Sequence, residues 1–185
     1  MRDICMHILD LTQNSVDAAA HNVRIVLEEL SQDNLMRLTI EDDGCGMSAE
    51  MLRKLTSPFT TTRTTSKVGM GTSLMDMVCQ QTNGKLVITS ELKVGTKVVA
   101  TMQLDHLDRP PLGDLVGTLK LMVLTFSEKV DFCFTYIIDR KEFKFSTKEL
   151  RDILGEDISF AQPEVLEWLN NFLRASIKEL KEDTL

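Results

Sequence analysis

The change of hydrophobic period at Val23 constrains the fold more than any other feature of this sequence. Before it, Ile4, Ile8 and Leu11 recur at helical spacing, and a run of three alanines follows them. After it, apolar and polar residues alternate with a period of two through two segments, which the polar turn 31–34 separates. The N-terminus is therefore predicted to form a helix that leads directly into a β-hairpin.

A hydroxyl-rich segment follows the hairpin. Eight of the eleven residues 56–66 are Ser or Thr, which predicts a mobile loop. A helix is predicted from about Thr72 to a left-handed cap at Asn83-Gly84, and two further strands are predicted up to Leu104. These elements give one α/β unit up to residue 107.

Pro110-Pro111 marks a boundary, beyond which residues 108–185 form a C-terminal α+β extension. The apolar stretch 112–125 is interpreted as a helix, with a buried strand as the alternative. A hairpin and two helices are then predicted, at 130–146, 147–154 and 163–181. Four apolar residues of the last helix fit either the core or an interface, and the core is favoured: Trp168, Leu169, Phe172 and Leu173.

Composition excludes several classes of protein. The chain has 21 Lys and Arg against 28 Asp and Glu, a net charge of −7, so no nucleic-acid partner is expected. No apolar run approaches the roughly 20 residues of a membrane span, and no secretory leader precedes the first helix, so a cytoplasmic protein without membrane contact is expected. Four scattered cysteines and three histidines indicate neither a zinc site nor disulfides.

Several polar residues are spaced along the sequence in a pattern that suits the binding of a phosphorylated ligand. Asp10, Asn14 and Asp17 share one stripe of the first helix, and Asp42 ends a strand just before a Gly-x-Gly turn. A carboxylate there can accept a hydrogen bond from an amine, and an amide oxygen suits Mg²⁺ that already carries phosphate oxygens. A second Gly-x-Gly turn, ending at Gly71, opens a helix whose N-terminus favours phosphate. Neither turn matches a P-loop or the dinucleotide fingerprint.

These segments together resemble the GHKL ATPases, the family of DNA gyrase B subunits, MutL, the ninety-kilodalton heat-shock chaperone and histidine kinases. Five segments match the family's motifs in the family's order: 10–18 (N box), 41–47 (first glycine box), 58–63 (F box of histidine kinases), 69–74 (second glycine box) and 95–98 (late G-T-x-F motif). The resemblance covers residues 1 to about 105 and gives residues 1–107 as the ATP-binding domain. It implies an α+β sandwich, with a Bergerat-type mixed β-sheet whose helices pack on one face.

The resemblance also implies a site for ATP or ADP with Mg²⁺. Asp42 would accept a hydrogen bond from the adenine amino group, with Thr96 supporting this contact through water. Asn14 would ligate Mg²⁺. The base and ribose would lie against Gly44, Gly46 and Met47, and the phosphates would contact Arg63, Lys67, Gly69, Gly71 and Thr72.

One departure from the family pattern leaves the activity open. Asp10 stands where hydrolysing members usually carry Glu, and its side chain is shorter by about one C–C bond, roughly 1.5 Å. With Asp10 as general base, the chain is a histidine-kinase-like or anti-sigma-factor-like protein kinase or ATPase that acts on an unidentified protein partner. The alternative is a non-catalytic module in which ATP is only a conformational ligand. An ATPase clamp that dimerises on ATP is a third possibility, and the oligomeric state stays open.

Overall fold

One mixed β-sheet organises the protein, whose computed structural model describes residues 3–56, 70–155 and 159–182. Its strands are β1 (Asn22–Leu30), β2 (Leu35–Asp42), β3 (Lys85–Glu91), β4 (Gly95–Gln103), β5 (Asp131–Ile138) and β6 (Lys141–Ser146). They lie in the order β3-β4-β2-β1-β5-β6. β1 and β5 pair in parallel, and the other neighbouring strands pair antiparallel. The predicted α+β class with a mixed sheet is confirmed.

The described residues form six helices, and each begins or ends on a local sequence cue. They are α1 (Ile4–Asp17), α2 (Ala49–Thr56), α3 (Met70–Gln81), α4 (Leu115–Phe126), α5 (Thr147–Leu154) and α6 (Pro163–Glu182). Asp3 caps α1 by accepting a 2.8 Å hydrogen bond from the Met6 amide. Ser48 accepts similarly from Met51 at 3.2 Å and caps α2. Side-chain acceptors of this kind satisfy amides that have no partner inside a helix.

The sheet is buried on one face only. On β1, Val23, Ile25 and Leu27 are buried, and the residues between them are exposed or half-buried. The same alternation runs along β2 and β4. Ile4 and Ile8 of α1 pack into the same core, since both are fully buried. Helices therefore cover one face of the sheet and leave the other open, as period-two sequences require.

The C-terminal extension continues the same sheet. The sequence left a helix and a buried strand open for 112–125, and the helix α4 forms there. β5 then lies beside β1 in parallel, with Asn22 opposite Asp131, and β6 completes the edge. In α6 the core prediction is correct for Leu169 and Leu173, and wrong for Trp168 and Phe172, which stay 45% and 37% exposed. A helix has a single stripe facing the core, and these two aromatic residues fall beside it.

In the turn after α3, Asn83 supplies the left-handed conformation and Gly84 meets a steric requirement. Asn83 adopts the left-handed conformation, with φ of 57°. Gly84 is required by space instead, because a Cβ added there would stand 1.8 Å from the carbonyl oxygen of Thr101. Of the loop predicted at 56–66, everything after Thr56 lies outside the described residues. None of the described helices is long and apolar enough to cross a membrane.

Candidate functional site

A cavity of about 150 Å³ lies between α1, α2 and the ends of β2, β3 and β4. Much of its wall is apolar, contributed by Leu11, Ile40, Met47, Met51, Leu55, Ile88 and Val98. The rest of the lining is mainly polar and comes from α1, β2, α3 and β4: Asn14, Ser15, Asp17, Asp42, Thr72 and Thr96. An apolar slot with a few convergent polar groups is the usual form of a small-molecule site, and it suits a flat heterocycle with a polar edge.

Asp42 is the polar group held most firmly in this cavity. Its Oδ2 accepts a 2.7 Å hydrogen bond from the Ser15 hydroxyl. Its Oδ1 accepts from the backbone amides of Gly44 at 3.0 Å and Thr96 at 3.3 Å. Three donors from three parts of the chain fix the carboxylate, while Oδ2 keeps a lone pair for a further donor. The arrangement can therefore recognise an amine or amide N–H of a ligand.

Ser90 links the far wall of the cavity to Asp42. Its hydroxyl lies 2.9 Å from the Thr96 hydroxyl and 2.9 Å from the carbonyl oxygen of Gly95, to which it can donate. It also accepts a 2.8 Å hydrogen bond from the Met47 amide. The Met47 backbone is thus tied to the start of β4, which places it on the cavity wall.

The neighbouring carboxylate, Asp43, points away from the cavity. It accepts hydrogen bonds from the amides of His21 and Asn22 and from the Asn22 side chain, at 2.7 to 2.8 Å. Partial burial alone would raise the pKa of the Asp43 carboxyl, but these hydrogen bonds outweigh it and hold the pKa below its usual value. Asp43 therefore braces the entry to β1, and Asp42 alone of the pair faces the cavity.

Backbone contacts on two sides, with the end of α1 and with the β3–β4 connection, fix the Gly44-Cys45-Gly46 turn. The Cys45 amide donates a 2.9 Å hydrogen bond to the carbonyl oxygen of Ala18, at the end of α1. Gly46 has φ of +61°, and a Cβ added there would stand 1.9 Å from the carbonyl oxygen of Glu91. A side chain at that position would push the turn off the β3–β4 connection, so glycine is required by both conformation and space.

Asn14 and Asp10 occupy different places along α1. Asn14 lies on the cavity wall, and its side-chain amide makes no hydrogen bond with another described residue. Asp10, one turn earlier, lies against the start of α3, where a Cβ added to Gly71 would stand 1.5 Å from Asp10 Oδ2. Asp10 is not among the residues that wall the cavity. The stripe predicted for Asp10, Asn14 and Asp17 therefore splits, with only the last two at the cavity.

The described residues do not gather three His, Cys, Asp or Glu side chains into a metal-binding cluster. Among the oxygen donors at the cavity, the side-chain amide oxygen of Asn14 accepts no hydrogen bond from another described residue. Mg²⁺ commonly takes one or two protein oxygens and fills its octahedron with substrate phosphates and water. The described residues at the cavity therefore fit a magnesium ion that arrives with a phosphorylated ligand.

A family model for histidine kinase-, DNA gyrase B- and HSP90-like ATPases matches residues 2–106. The chain belongs to this ATPase family. A protein of Shewanella frigidimarina (strain NCIMB 400) named as a sensor protein is 32% identical over 93 residues, and the sensor kinase CckA of Brucella abortus (strain 2308) is 32% identical over 79 residues. These matches cover 49% and 42% of this chain but only 14% and 8% of the two relatives, so the chain matches a small part of each.

Among solved structures, the N-terminal domain of a DNA repair protein is similar to this fold. The TM-score is 0.52 at 16% identity, and the match covers 79% of this chain and 52% of that one. At this identity the likeness concerns the fold alone. Because it covers 79% of the chain, this likeness of fold extends beyond the residues that the family model matches.

Three of the family's expected phosphate contacts lie outside the described residues: Arg63, Lys67 and Gly69. The two that are described, Gly71 and Thr72, lie in the first turn of α3, and Thr72 is buried on the cavity wall. The start of α3 therefore adjoins the cavity, with the orientation that favours an anionic ligand.

Sequence reasoning missed Ser15, which makes the shortest hydrogen bond to Asp42. One cue was available, because Ser15 continues the buried stripe of Ile8 and Leu11 and is itself 3% exposed. A hydroxyl on a buried stripe needs a hydrogen-bond partner, and Asp42 is that partner. Ser90 was also missed, and nothing in its local pattern distinguishes it from other serines on exposed strands.

His7 is an unusual feature of α1 in this ATPase domain. The ring is 1% exposed, and neither ring nitrogen has a hydrogen-bond partner among the described residues. Burial lowers the pKa of the His7 ring below its ordinary value of 6.5, although the nearby carboxylates of Asp10 and Asp3 act in the opposite direction. The ring is held in its neutral form and lies in the core beside the site.

Proposed function

We propose that this chain binds Mg·ATP in the cavity beside α1 and uses it to regulate, and to act on, a protein partner. The fixed carboxylate of Asp42 in an apolar slot carries the proposal. Its free lone pair suits the amino group of adenine, and the apolar walls suit the faces of the ring. Membership of an ATPase family supports adenine as the base.

The other residues have roles that follow from their position. The turn around Gly44, Gly46 and Met47 would line the base and ribose, and Thr96 would support Asp42 through water. Asn14 would hold Mg²⁺ through its amide oxygen, and the bound ion would neutralise charge on the phosphates. The first turn of α3 would take the phosphates at its free amides, with Gly69, Arg63 and Lys67 contributing further contacts.

In the catalytic form of this proposal, Asp10 is the general base. It would accept the proton of a partner hydroxyl or imidazole, or of water, as the terminal phosphate is transferred. The names of the two bacterial relatives, a sensor protein and a sensor kinase, support a histidine-kinase-like phosphotransferase or ATPase. The partner is a protein of unidentified class, and the proposal places it in the cytoplasm with the chain.

A specific observation favours a second candidate, a binding module in which ATP is only a conformational ligand. Asp10 lies against Gly71 and does not wall the cavity. A carboxylate one methylene shorter than Glu reaches less far toward a nucleophile beside the terminal phosphate, so Asp10 could pack against α3 without acting as a base. ATP binding would then order the start of α3 without turnover.

Thermal unfolding with saturating Mg·ATP tests the nucleotide site. Ligand at about 100 times its Kd adds roughly 2.7 kcal/mol, which raises Tm by about 5–10 °C for a domain of this size. Asp42→Asn should abolish the shift. Asp43→Asn is the matched control, because it removes the adjacent carboxylate that faces away, so it should lower the starting Tm and retain the shift. An equal shift in Asp42→Asn and the unmodified chain would refute the proposed pose.

Phosphate release from ATP separates the two candidates. The catalytic form predicts turnover that is lost in Asp10→Asn and increased in Asp10→Glu, because the longer side chain extends the carboxylate by about 1.5 Å. The binding-module form predicts no turnover above buffer in the unmodified chain and in Asp10→Asn, together with unchanged affinity for ATP. Transfer of the terminal phosphate to a candidate partner is then tested with the same pair of variants.

A further inference from the structure

The outer edge of β6 is a regular strand edge that carries no strand partner among the described residues. β6 is the last strand of the sheet, and it pairs with β5 without a break in register, from Ile138 opposite Lys141 to Cys133 opposite Ser146. It contains neither proline nor a bulge. Edges of this kind offer a row of backbone donors and acceptors to another strand, and proteins limit such pairing with proline, bulges or charged side chains on the edge. The exposed charges of β6 therefore select a partner strand whose charges complement them.

The charges on β6 are arranged symmetrically about one residue. Glu142 and Lys144 are both exposed on the open face of the sheet and lie on either side of Phe143, with 2.8 Å between Glu142 Oε1 and Lys144 Nζ. When a second β6 is laid antiparallel with Phe143 opposite Phe143, each Glu142 stands opposite Lys144 of the other strand. Opposite charges at directly facing positions stabilise an antiparallel pair, and like charges there destabilise it.

An aromatic patch lies beside this edge on the other face of the sheet. Trp168 and Phe172 are one turn apart on α6, and their rings are stacked with centroids 5.3 Å apart. Phe172 also lies 6.0 Å, ring centre to ring centre, from Phe143 below it. These two aromatic side chains are 45% and 37% exposed. Large rings left partly in water beside an open strand edge indicate a contact surface.

The aromatic patch adjoins the same residue of β6, because Phe172 contacts Phe143. A second β6 paired about Phe143 would bring the patch of the other copy, Trp168 and Phe172, toward the same contact.

We propose that two copies of this chain associate through β6 and α6, so that their six-stranded sheets join edge to edge about a two-fold axis at Phe143. The strand pair supplies backbone hydrogen bonds and the Glu142–Lys144 contacts, and contact between the aromatic patches buries Trp168 and Phe172. The interface is isologous, since each copy offers the same surface. It lies at the opposite edge of the sheet from β3 and β4, so it does not require the nucleotide or depend on the proposed function.

Sedimentation equilibrium across the micromolar range tests the register directly. The unmodified chain is expected to pass from 20.9 kDa to twice that mass as concentration rises. Glu142→Lys and Lys144→Glu each place like charges opposite one another at both symmetric positions, and each should weaken association by about 10- to 100-fold. Glu128→Lys and Lys129→Glu are matched controls with the same charge changes on the exposed turn after α4, and should associate like the unmodified chain.

The decisive sample is an equimolar mixture of Glu142→Lys and Lys144→Glu. In the mixed pair the positions of Glu142 and Lys144 again carry opposite charges, so the mixture should associate about as tightly as the unmodified chain although each variant alone associates weakly. The single tryptophan, Trp168, provides a second readout. Its emission should shift to shorter wavelength on association in the unmodified chain and stay unshifted in Glu142→Lys. A monomer at all concentrations, equal association of all four variants, or no recovery on mixing would overturn the proposal. Pairing of β6 with a strand of another protein would give the first of these results.

Discussion

The hydroxyl of Ser15 donates a 2.7 Å hydrogen bond to Oδ2 of Asp42, and so ties the last turn of α1 to the end of β2. This bond orients the carboxylate across the cavity, with the Gly44 and Thr96 amides holding the other oxygen. The position of one helix is thereby coupled to the proposed base-recognition group. Changes in α1 should consequently affect ligand affinity as well as stability.

Ser15→Ala should weaken ATP binding by about tenfold or more, because a hydrogen bond to a charged group contributes roughly 1.5–3 kcal/mol. The carboxylate of Asp42 would lose the donor that orients Oδ2. Isothermal titration calorimetry with Mg·ATP measures this change. Thr12→Val is the control, since it removes another buried hydroxyl of α1 that bonds only the Ile8 carbonyl oxygen. Equal affinities of the two variants would contradict the assigned role of Ser15.

Gly46→Ala should destabilise the fold by more than about 2 kcal/mol, measured by urea unfolding. A positive φ alone costs about 1 kcal/mol and is tolerated at Lys93, where φ is 64°. The larger part of the expected loss comes from the Glu91 carbonyl oxygen, 1.9 Å from the added Cβ. Backbone cannot rotate out of the way as a side chain can, so a loss near 1 kcal/mol would show that the turn is free to move.

Mg·ATP should protect Cys45 from alkylation by iodoacetamide. Cys45 is exposed and belongs to the cavity wall, so a bound base would shield its thiol. Cys133 is half-exposed on the open face of the sheet and should react at the same rate with and without nucleotide. Burial raises the pKa of Cys5 and of Cys79 to about 12, so both should stay unmodified at pH 8. Peptide mass spectrometry measures all four sites in one sample.

The free energy of unfolding should fall as the pH falls below about 6.5, in part because of His7. Above that pH the ring is neutral in both states and contributes no pH dependence. Below it the unfolded ring binds a proton, while the folded ring, whose pKa burial lowers, does not. The unfolded state is then favoured progressively until the pH reaches the folded pKa of the ring.

His7→Leu should make this fall shallower in urea unfolding at pH 7.5, 6 and 5. It also removes two buried nitrogens that lack partners, so the variant should not lose stability at pH 7.5. His21→Gln serves as the control, because it removes an exposed histidine instead of the buried one. An unchanged slope in His7→Leu would place the origin of the pH dependence elsewhere.

Local features of the sequence were sufficient to predict most elements and the position of Asp42. Periodicity identifies α1 and the β1–β2 hairpin because each depends on neighbouring residues. The parallel pairing of β1 with β5 has no local signal in the sequence, since the two strands are far apart in the chain and no tight turn joins them. Whether Asp10 reaches the cavity likewise depended on how α1 and α3 pack, which spacing within α1 does not specify.

The contribution of Ser15 and the exposure of Trp168 illustrate the same limit. A hydroxyl on a buried stripe indicates that a partner exists, but the partner is a strand end that only the folded sheet brings near. Trp168 and Leu169 are adjacent and both apolar, and yet one is half in water and the other is fully buried. The stripe of α6 that faces the core includes Leu169 and leaves Trp168 beside it.

The parallel pairing of β1 with β5 has a consequence for how this protein can be divided. The family match ends at residue 106, but β1 is hydrogen-bonded on one side to β2 and on the other to β5, which comes from beyond that point. A chain cut at the end of the match would leave β1 as an unpaired edge strand of the sheet and would expose the apolar residues beneath it. Residues on both sides of the cut share one core, so they should melt together in a single calorimetric transition. In this protein, the region that the family model matches is therefore smaller than the region that folds as one domain.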